Sequence, residues 1–375
     1  VISLSEDDYI RHTPVEAFRL QKRGGIGSKG VTTKSEDTAK AIVSCFSKDR
    51  ILIFTNKPFP EDHRQYGRVD GRVYGIKAWE TPPASRQSKG SHIRNVLSRF
   101  QDGESIISIL PISKEMAENA SEHFIFFATK GGKVKKTELK HFLDIMKNGK
   151  RALILPEGDQ LVSVRHGRDN SHVILISSQG RACRFQPSKL RERMNKETGQ
   201  KENVPTLRHK KPNTQPNNGL KLISSKGENL GHLVGMIVTE GPEDEDTGVL
   251  TISKFGMAKR SRVGSGKMIE FEDGRKDEHG DPATYRDGFK VSMNVHGIGN
   301  FCMNLREAGY PVGIAAKDWK NMDNAHKTLW HNGKFIENQV KNITAINKMW
   351  LGDEIVRVHQ VPNDTDQIFL LAESG

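Results

Sequence analysis

One repeated unit restricts what this chain can fold into. It is an apolar run of β-forming residues, a short turn that usually ends in glycine, and a second strand carrying Arg or Lys. The first copy reads Val1-Ile2-Ser3-Leu4 and Tyr9-Ile10-Arg11-His12-Thr13; the second, Ile51-Leu52-Ile53-Phe54-Thr55 and Gly71-Arg72-Val73-Tyr74-Gly75-Ile76-Lys77. The third is Phe124-Ile125-Phe126-Phe127-Ala128-Thr129 with Lys133-Val134-Lys135-Lys136-Thr137. The fourth is Val173-Ile174-Leu175-Ile176-Ser177 with Arg181-Ala182-Cys183-Arg184-Phe185. The fifth is Val249-Leu250-Thr251-Ile252-Ser253 with Lys259-Arg260-Ser261-Arg262, and a sixth starts at Ile368 and stops at its first turn. A missed repeat misassigns a whole fold, so this pattern outranks local propensity.

A second unit lies between the hairpins: a glycine, a polar residue, then an alternating strand. It reads Gly103-Glu104-Ser105-Ile106, Gly158-Asp159-Gln160-Leu161, Gly231-His232-Leu233-Val234 and Gly352-Asp353-Glu354-Ile355, with a degenerate copy at Ala39–Ser44. The apolar first strand of each hairpin is expected to be buried on both faces, and the alternating strand on one. Three to four strands recurring about every 50–60 residues predict a bladed, propeller-like ring occupying 1–375 as one domain. The hairpins lie near 1–13, 51–77, 124–137, 173–185, 249–262 and 368–375. Long insertions interrupt them near 57–70, 200–219 and 264–348. The second of these, with Pro205, Pro212 and Pro216, reads as a flexible loop. The third contains the alternating stretch Phe289–Met293 and helix-compatible pieces in Asn324–Lys348.

Charge narrows the function. Lys plus Arg number 58 against 46 Asp plus Glu, a net +12 that favours polyanionic partners. The second hairpin strands carry the cations: Arg11, Arg72 and Lys77, Lys133 with Lys135 and Lys136, Arg181 and Arg184, and Lys259 with Arg260 and Arg262. Cation-bearing loops follow them, at Lys22-Arg23, Arg86 with Lys89, Lys147 with Lys150 and Arg151, and Arg191 with Arg193. The densest is Gln21-Lys22-Arg23-Gly24-Gly25-Ile26-Gly27-Ser28-Lys29-Gly30, where glycines allow backbone N–H groups to approach an anion. Equivalent positions in a ring lie on equivalent surfaces, so five basic strands predict a curved basic track. With no recognition helix, such a track would hold duplex DNA by its phosphates and not by its bases. The competing explanation for each cation is an edge-strand charge that discourages aggregation.

At this point the residues carry a family likeness. The chain resembles the C-terminal DNA-wrapping domain of the A subunit of bacterial DNA gyrase and, more distantly, that of topoisomerase IV. The likeness runs through Ile2–Pro14, Phe18-Arg19, Gly71–Tyr74, Lys77–Arg86, Lys89-Gly90 and Ala128–Thr137. The family's Gln-Arg-Arg-Gly-Gly-Lys-Gly box stands here as Gln21–Gly27, with Ile26 replacing its last cation and Lys29 nearby; it separates gyrase-like from topoisomerase IV-like domains. The resemblance implies an all-β, six-bladed β-pinwheel that wraps DNA and supports ATP-dependent negative supercoiling. It implies as partners duplex DNA, a catalytic core upstream in the same chain, and a B subunit in an A2B2 holoenzyme. ATP and Mg2+ would be bound elsewhere, with no cofactor in this part, and the location would be the bacterial cytoplasm at the nucleoid.

Other chemistry finds little support. Gly264-Ser265-Gly266-Lys267 lacks the earlier Gly and following Ser or Thr of a phosphate loop, having Ser261 and Met268 instead. Glu270, Glu272, Asp273, Asp277, Glu278, His279 and Asp281 match no calcium loop, and Gly297-Ile298-Gly299 lacks the third glycine of a dinucleotide fingerprint. Cys45, Cys183 and Cys302 show neither a disulfide nor a zinc spacing. No apolar run reaches the roughly 18 residues that span a bilayer, and no signal peptide opens the chain. Neither a catalytic nor a metal site is expected. A propeller that binds proteins is the second functional class, disfavoured because it has no reason to repeat cations on one strand of each unit.

Overall fold

The computed structural model describes residues 1–17, 39–85, 88–195, 199–223, 225, 229–239, 246–254, 256–277, 279–292, 295–303, 305, 329–331, 334–336 and 354–361. It is an all-β, propeller-like assembly. Each expected hairpin within these residues is present: Ile2–Ser5 with Tyr9–His12, Arg50–Pro58 with Val69–Lys77, His123–Thr129 with Lys133–Glu138, Val173–Ser177 with Arg181–Phe185, and Gly248–Ser253 with Ala258–Arg262. The 57–70 insertion partly extends the second hairpin, whose strands pair out to Pro58 and Val69. We number the blades 1 to 5 after these hairpins.

The alternating units are the innermost strands. Ala39–Val43, Ser105–Ile112, Leu161–Arg168, Leu233–Val238 and Ile355–Val361 each pair antiparallel with the first strand of their own hairpin. They also follow one another side by side from blade to blade. A buried polar knot ties the inner strand to its hairpin. Glu104 accepts from Thr55 Oγ1 at 2.5 Å and from the Tyr74 hydroxyl at 2.8 Å. Asp159 accepts from Thr129 Oγ1 at 2.6 Å and the Gly131 amide at 2.7 Å. In blade 4, Ser178 Oγ takes that part by accepting from the His232 amide at 3.1 Å. The polar residue after the glycine, Glu104 or Asp159, therefore joins strand ends in blades 2 and 3.

The outermost strand is not local. Ser91–His92 follows the hairpin of blade 2 but pairs with Tyr9–Ile10 of blade 1. Lys150–Ile154, after the hairpin of blade 3, pairs with blade 2. Asn217–Asn218 pairs with blade 3, and Asn300–Phe301 with blade 4. After each of these hairpins the chain crosses to the preceding blade, completes it, and returns as its own inner strand. Blade 5 has three strands among the described residues.

Continuous apolar runs follow from this stacking, because alternate residues of one strand serve opposite neighbours. Ile51 and Ile53 pack toward blade 1 with Ile2, Leu4 and Ile10. Leu52 and Phe54 pack toward blade 3 with Ile125 and Phe127, the two Phe rings meeting edge-on at 5.5 Å. Phe124 and Phe126 join Val173 and Leu175, while Ile174 and Ile176 join Val249 and Ile355. At about 25 cal/mol per Å2, this both-faced burial is the main cohesive contribution.

Three expectations change. Five blades stand among the described residues, and the sixth hairpin at 368–375 lies outside them. The 200–219 loop is not unstructured: Leu190–Met194 pairs with Lys201–Pro205, Lys210 N donates to Lys136 O at 2.8 Å, and Ile154 N to Thr214 O at 3.2 Å. Asn213, at φ 56°, makes a turn pinned to blade 2 by its amide on the Ala152 carbonyl at 3.1 Å. In the 264–348 insertion, Met268–Glu270 pairs with Thr284–Arg286 as a protruding hairpin, and Asn300–Phe301 serves blade 4. Within the stretch read as helix-compatible, Leu329–His331 pairs antiparallel with Lys334–Ile336.

Candidate nucleic-acid interface

The repeated cations divide by what they touch. Arg11, Lys135, Lys136 and Arg184 are all at most 3% exposed. Arg11 donates from Nε to Ser3 Oγ at 3.1 Å and from Nη1 to the Ser85 carbonyl at 3.3 Å. Lys135 Nζ donates to the carbonyls of Ala152 and Thr214 at 2.9 and 3.3 Å. Arg184 donates from Nη1 to Val263, Gly264 and Phe289 carbonyls at 2.9, 2.6 and 3.2 Å, and from Nε to His172 Nδ1 at 2.8 Å. Half-buried Arg72 reaches the Gly149 carbonyl at 3.4 Å, and exposed Lys259 the Cys302 carbonyl at 2.8 Å.

The acceptors share a location: Ser85, Gly149, Ala152, Thr214 and Phe289 all lie in crossover segments. A crossover meets its host blade by only a few ladder bonds, leaving carbonyls to be satisfied inside the protein. A long cationic side chain satisfies them by a charge-assisted bond. These positions therefore clamp exchanged strands, which differs from the expected solvent-facing track. Burial shifts their chemistry: it pushes the Lys135 pKa down to about 7, with Lys210 adding repulsion, and lowers Arg11. Lys136 lies at 4.6 Å from the centroid of the Phe124 ring and is paired with Asp169.

The remaining candidates face outward to differing degrees. Lys77, Lys89, Lys259, Arg260 and Arg262 are exposed. Arg262 is shared with Asp246 at 2.7 Å. Lys133 is half-buried and donates to Asn218 Oδ1 at 3.0 Å, and Arg181 stacks on Phe301 at 3.6 Å. Gln21, Lys22, Arg23, Gly24, Gly25, Gly27, Lys29 and Arg86 lie outside the described residues.

A second series of cations emerges on the crossovers themselves. Lys89 leads into the outer strand of blade 1, Lys150 begins that of blade 2, Arg208 and Lys211 precede that of blade 3, and Lys290 precedes that of blade 4; all are exposed. Arg208, Lys211 and Lys290 escape a reading centred on hairpins, because their segments look like insertions. The recurrence of a cation soon after each second strand does not reach them, since they lie 23 or more residues beyond Phe185 and Arg262. Arg191 and Arg193 instead sit on the Leu190–Met194 hairpin. Among the described residues no group of three metal-ligating side chains converges. Gly264–Lys267 is the root of the protruding hairpin, with the Asp287 side chain accepting from the Ser265 amide at 2.7 Å.

The model of the DNA gyrase C-terminal domain, a β-propeller, matches residues 1–45, 70–113 and 123–166. Over 266 residues the chain is 34% identical to the DNA gyrase A subunit of Chlamydia trachomatis, covering 70% of this chain and 27% of that protein. This chain belongs to the family of DNA gyrase A C-terminal domains. The gyrase A subunit of Streptococcus pyogenes is 39% identical over 191 residues, covering 51% of this chain and 21% of that protein. The chain thus spans about a quarter of the length of the gyrase A relatives it matches. Among solved structures, a C-terminal domain of DNA topoisomerase IV aligns at TM-score 0.49 and 17% identity, covering 96% of this chain and 92% of that one. A DNA gyrase A C-terminal domain aligns at TM-score 0.43 and 16% identity, covering 96% and 98%. The first of the three stretches that match the family takes in the Gln21–Gly27 box.

Proposed function

We propose that this chain binds duplex DNA without sequence preference and bends it around the outer edge of the blades, in the manner of a gyrase wrapping domain. The observation that carries the reading is an exposed cation on the outermost path of each described blade: Lys89, Lys150, Lys211, Lys290, and Lys259 with Arg260. Contacts spaced along one edge suit a bent phosphate backbone, and no described element offers a base-reading helix. Bending 20–30 bp by 40–90° costs on the order of 1–6 kcal/mol, which several phosphate contacts offset. The net +12 acts in the same direction.

In this reading a sixth blade begins at Ile368, and Gln21–Gly27 occupies in blade 1 the chain position that crossovers occupy in the other units. A catalytic core in the same chain and a B subunit that hydrolyses ATP with Mg2+ would use the wrapped segment for negative supercoiling in the bacterial cytoplasm. Closing relaxed plasmid with a topoisomerase I while this chain is bound tests the proposal. A protein-dependent change in linking number is expected. No change at saturating protein, with DNA still bound, would reject wrapping. Alanine replacement of Gln21–Gly27 should abolish the linking change while leaving most of the plain binding.

A further inference from the structure

An open cleft of about 500 Å3 lies where the outer strand of blade 2 meets the crossovers from blades 3 and 4. Arg72, Lys150, Arg151 and His141 line it together with Pro212 and Asn213 from the 200–219 segment. Arg72 and Arg151 are direct cross-strand partners, so two guanidinium-bearing residues project on the same face of one antiparallel pair. Like charges placed directly opposite are destabilising unless something between them is negative. Two carboxylates touch its walls and both are committed. Asp70 holds Arg151 at 2.6 Å and also lies opposite Lys57, while Glu138 pairs with Lys140. The Arg72 guanidinium meets the Gly149 carbonyl from Nη2 at 3.4 Å.

We propose that this cleft is a seat for one phosphate group, gripped by Arg72, Lys150 and Arg151 and walled by Pro212-Asn213. The charge of a phosphate offsets the three cations that line the cleft, of which Arg151 is held by Asp70, in the bidentate geometry that guanidinium favours. The group could be a free phosphate or a phosphodiester of DNA. The second source rests on the function proposed above, and the first does not. The seat gives the 200–219 insertion a role, since this segment supplies one wall.

The test has two arms, run on the wild-type chain and on Lys150→Gln and Arg72→Gln, with Lys114→Gln as a control at an exposed lysine that does not line the cleft. In the first, inorganic phosphate replaces chloride at matched ionic strength during thermal unfolding. The midpoint of the wild type and of Lys114→Gln is expected to rise with phosphate, as ligand linkage requires, and that of the cleft variants to stay flat. Equal rises in all four proteins would overturn the seat. Because Lys150 is exposed, its variant is expected to fold even if Arg72→Gln does not. The second arm measures binding of a 30-bp duplex against salt. Lys150 already counts among the edge cations, so the Arg72→Gln slope decides: shallower than the wild type by about 0.9, it identifies a DNA phosphate as an occupant. An unchanged Arg72→Gln slope together with a lost phosphate response assigns the seat to free phosphate. If the wild type binds no DNA, the function proposed above fails while the first arm still decides the seat.

Discussion

Arg184 donates to three carbonyls and to His172 while 2% exposed, so removing it strands several acceptors together. Arg184→Met should cost about 2–4 kcal/mol in urea unfolding, whereas Arg181→Met, which loses a stacking contact at a half-exposed site, should cost under about 1 kcal/mol. Equal losses would reject the clamp. The histidine partner carries a pH signature. Burial, and then Arg184, holds the His172 pKa down at about 4 against an ordinary 6.5. Between these values the unfolded chain binds more protons, so stability is full above about pH 6.5 and falls as pH drops toward 4, by up to about 1.4 kcal/mol per unit. His166, lowered to about 4 by burial and by His123, adds in the same direction. Lys135, at about 7 against 10.5, makes stability rise with pH across that higher window. Urea unfolding across pH 4.5–9.5 checks both limbs; His172→Gln should flatten the acid one and Lys135→Met the alkaline one. The recurrence of cations was readable in the sequence, but their burial was not. The carbonyls that bury Arg184 come from residues 79 to 105 positions further on, which no local pattern can announce.

Hairpins and inner strands were readable because both have period and punctuation: unbroken apolar runs, Gly turns, and a Gly-polar pair before four of the five alternating strands. Outer strands were not. They are two to five residues long and of mixed composition, and they pair with the blade their own hairpin does not belong to. The polar knots give a prediction at this scale. Asp159→Asn places an amide N–H2 among the donors Thr129 Oγ1 and the Gly131 amide, and should cost about 1–3 kcal/mol while loosening the start of the Leu161–Arg168 strand in amide exchange. By contrast, replacing 268–286 with a short glycine linker should leave the unfolding midpoint within a few degrees, since both strands of that hairpin are exposed throughout. A large loss would mean that the hairpin is part of the fold.

For the whole molecule, composition set the sign of the partner and the repeat set the architecture, while the path of the charge came only from the crossovers. If each of the five described blades neutralises one phosphate, duplex affinity should fall with salt at a log–log slope of about −4.5. A filter or anisotropy titration between 50 and 200 mM salt measures it, and a slope near −1 would leave the edge cations without a common ligand. Mutating the buried clamps should change this slope little, and mutating Lys89, Lys150, Lys211 and Lys290 together should make it shallower by about 3.6.

Completion of each blade by the chain that follows the next hairpin also sets how the molecule would yield to force. Pulled from its C-terminal side, the chain would release blade 5 and with it the strip Asn300–Phe301 that covers blade 4, then Asn217–Asn218 from blade 3, and so on toward the N-terminus. Rupture should run as a zipper of unequal steps, each weakening the next, where a conventional propeller would shed independent blades. The same linkage bars the loss of a single blade by gene deletion, because an excised unit takes its neighbour's edge strand with it.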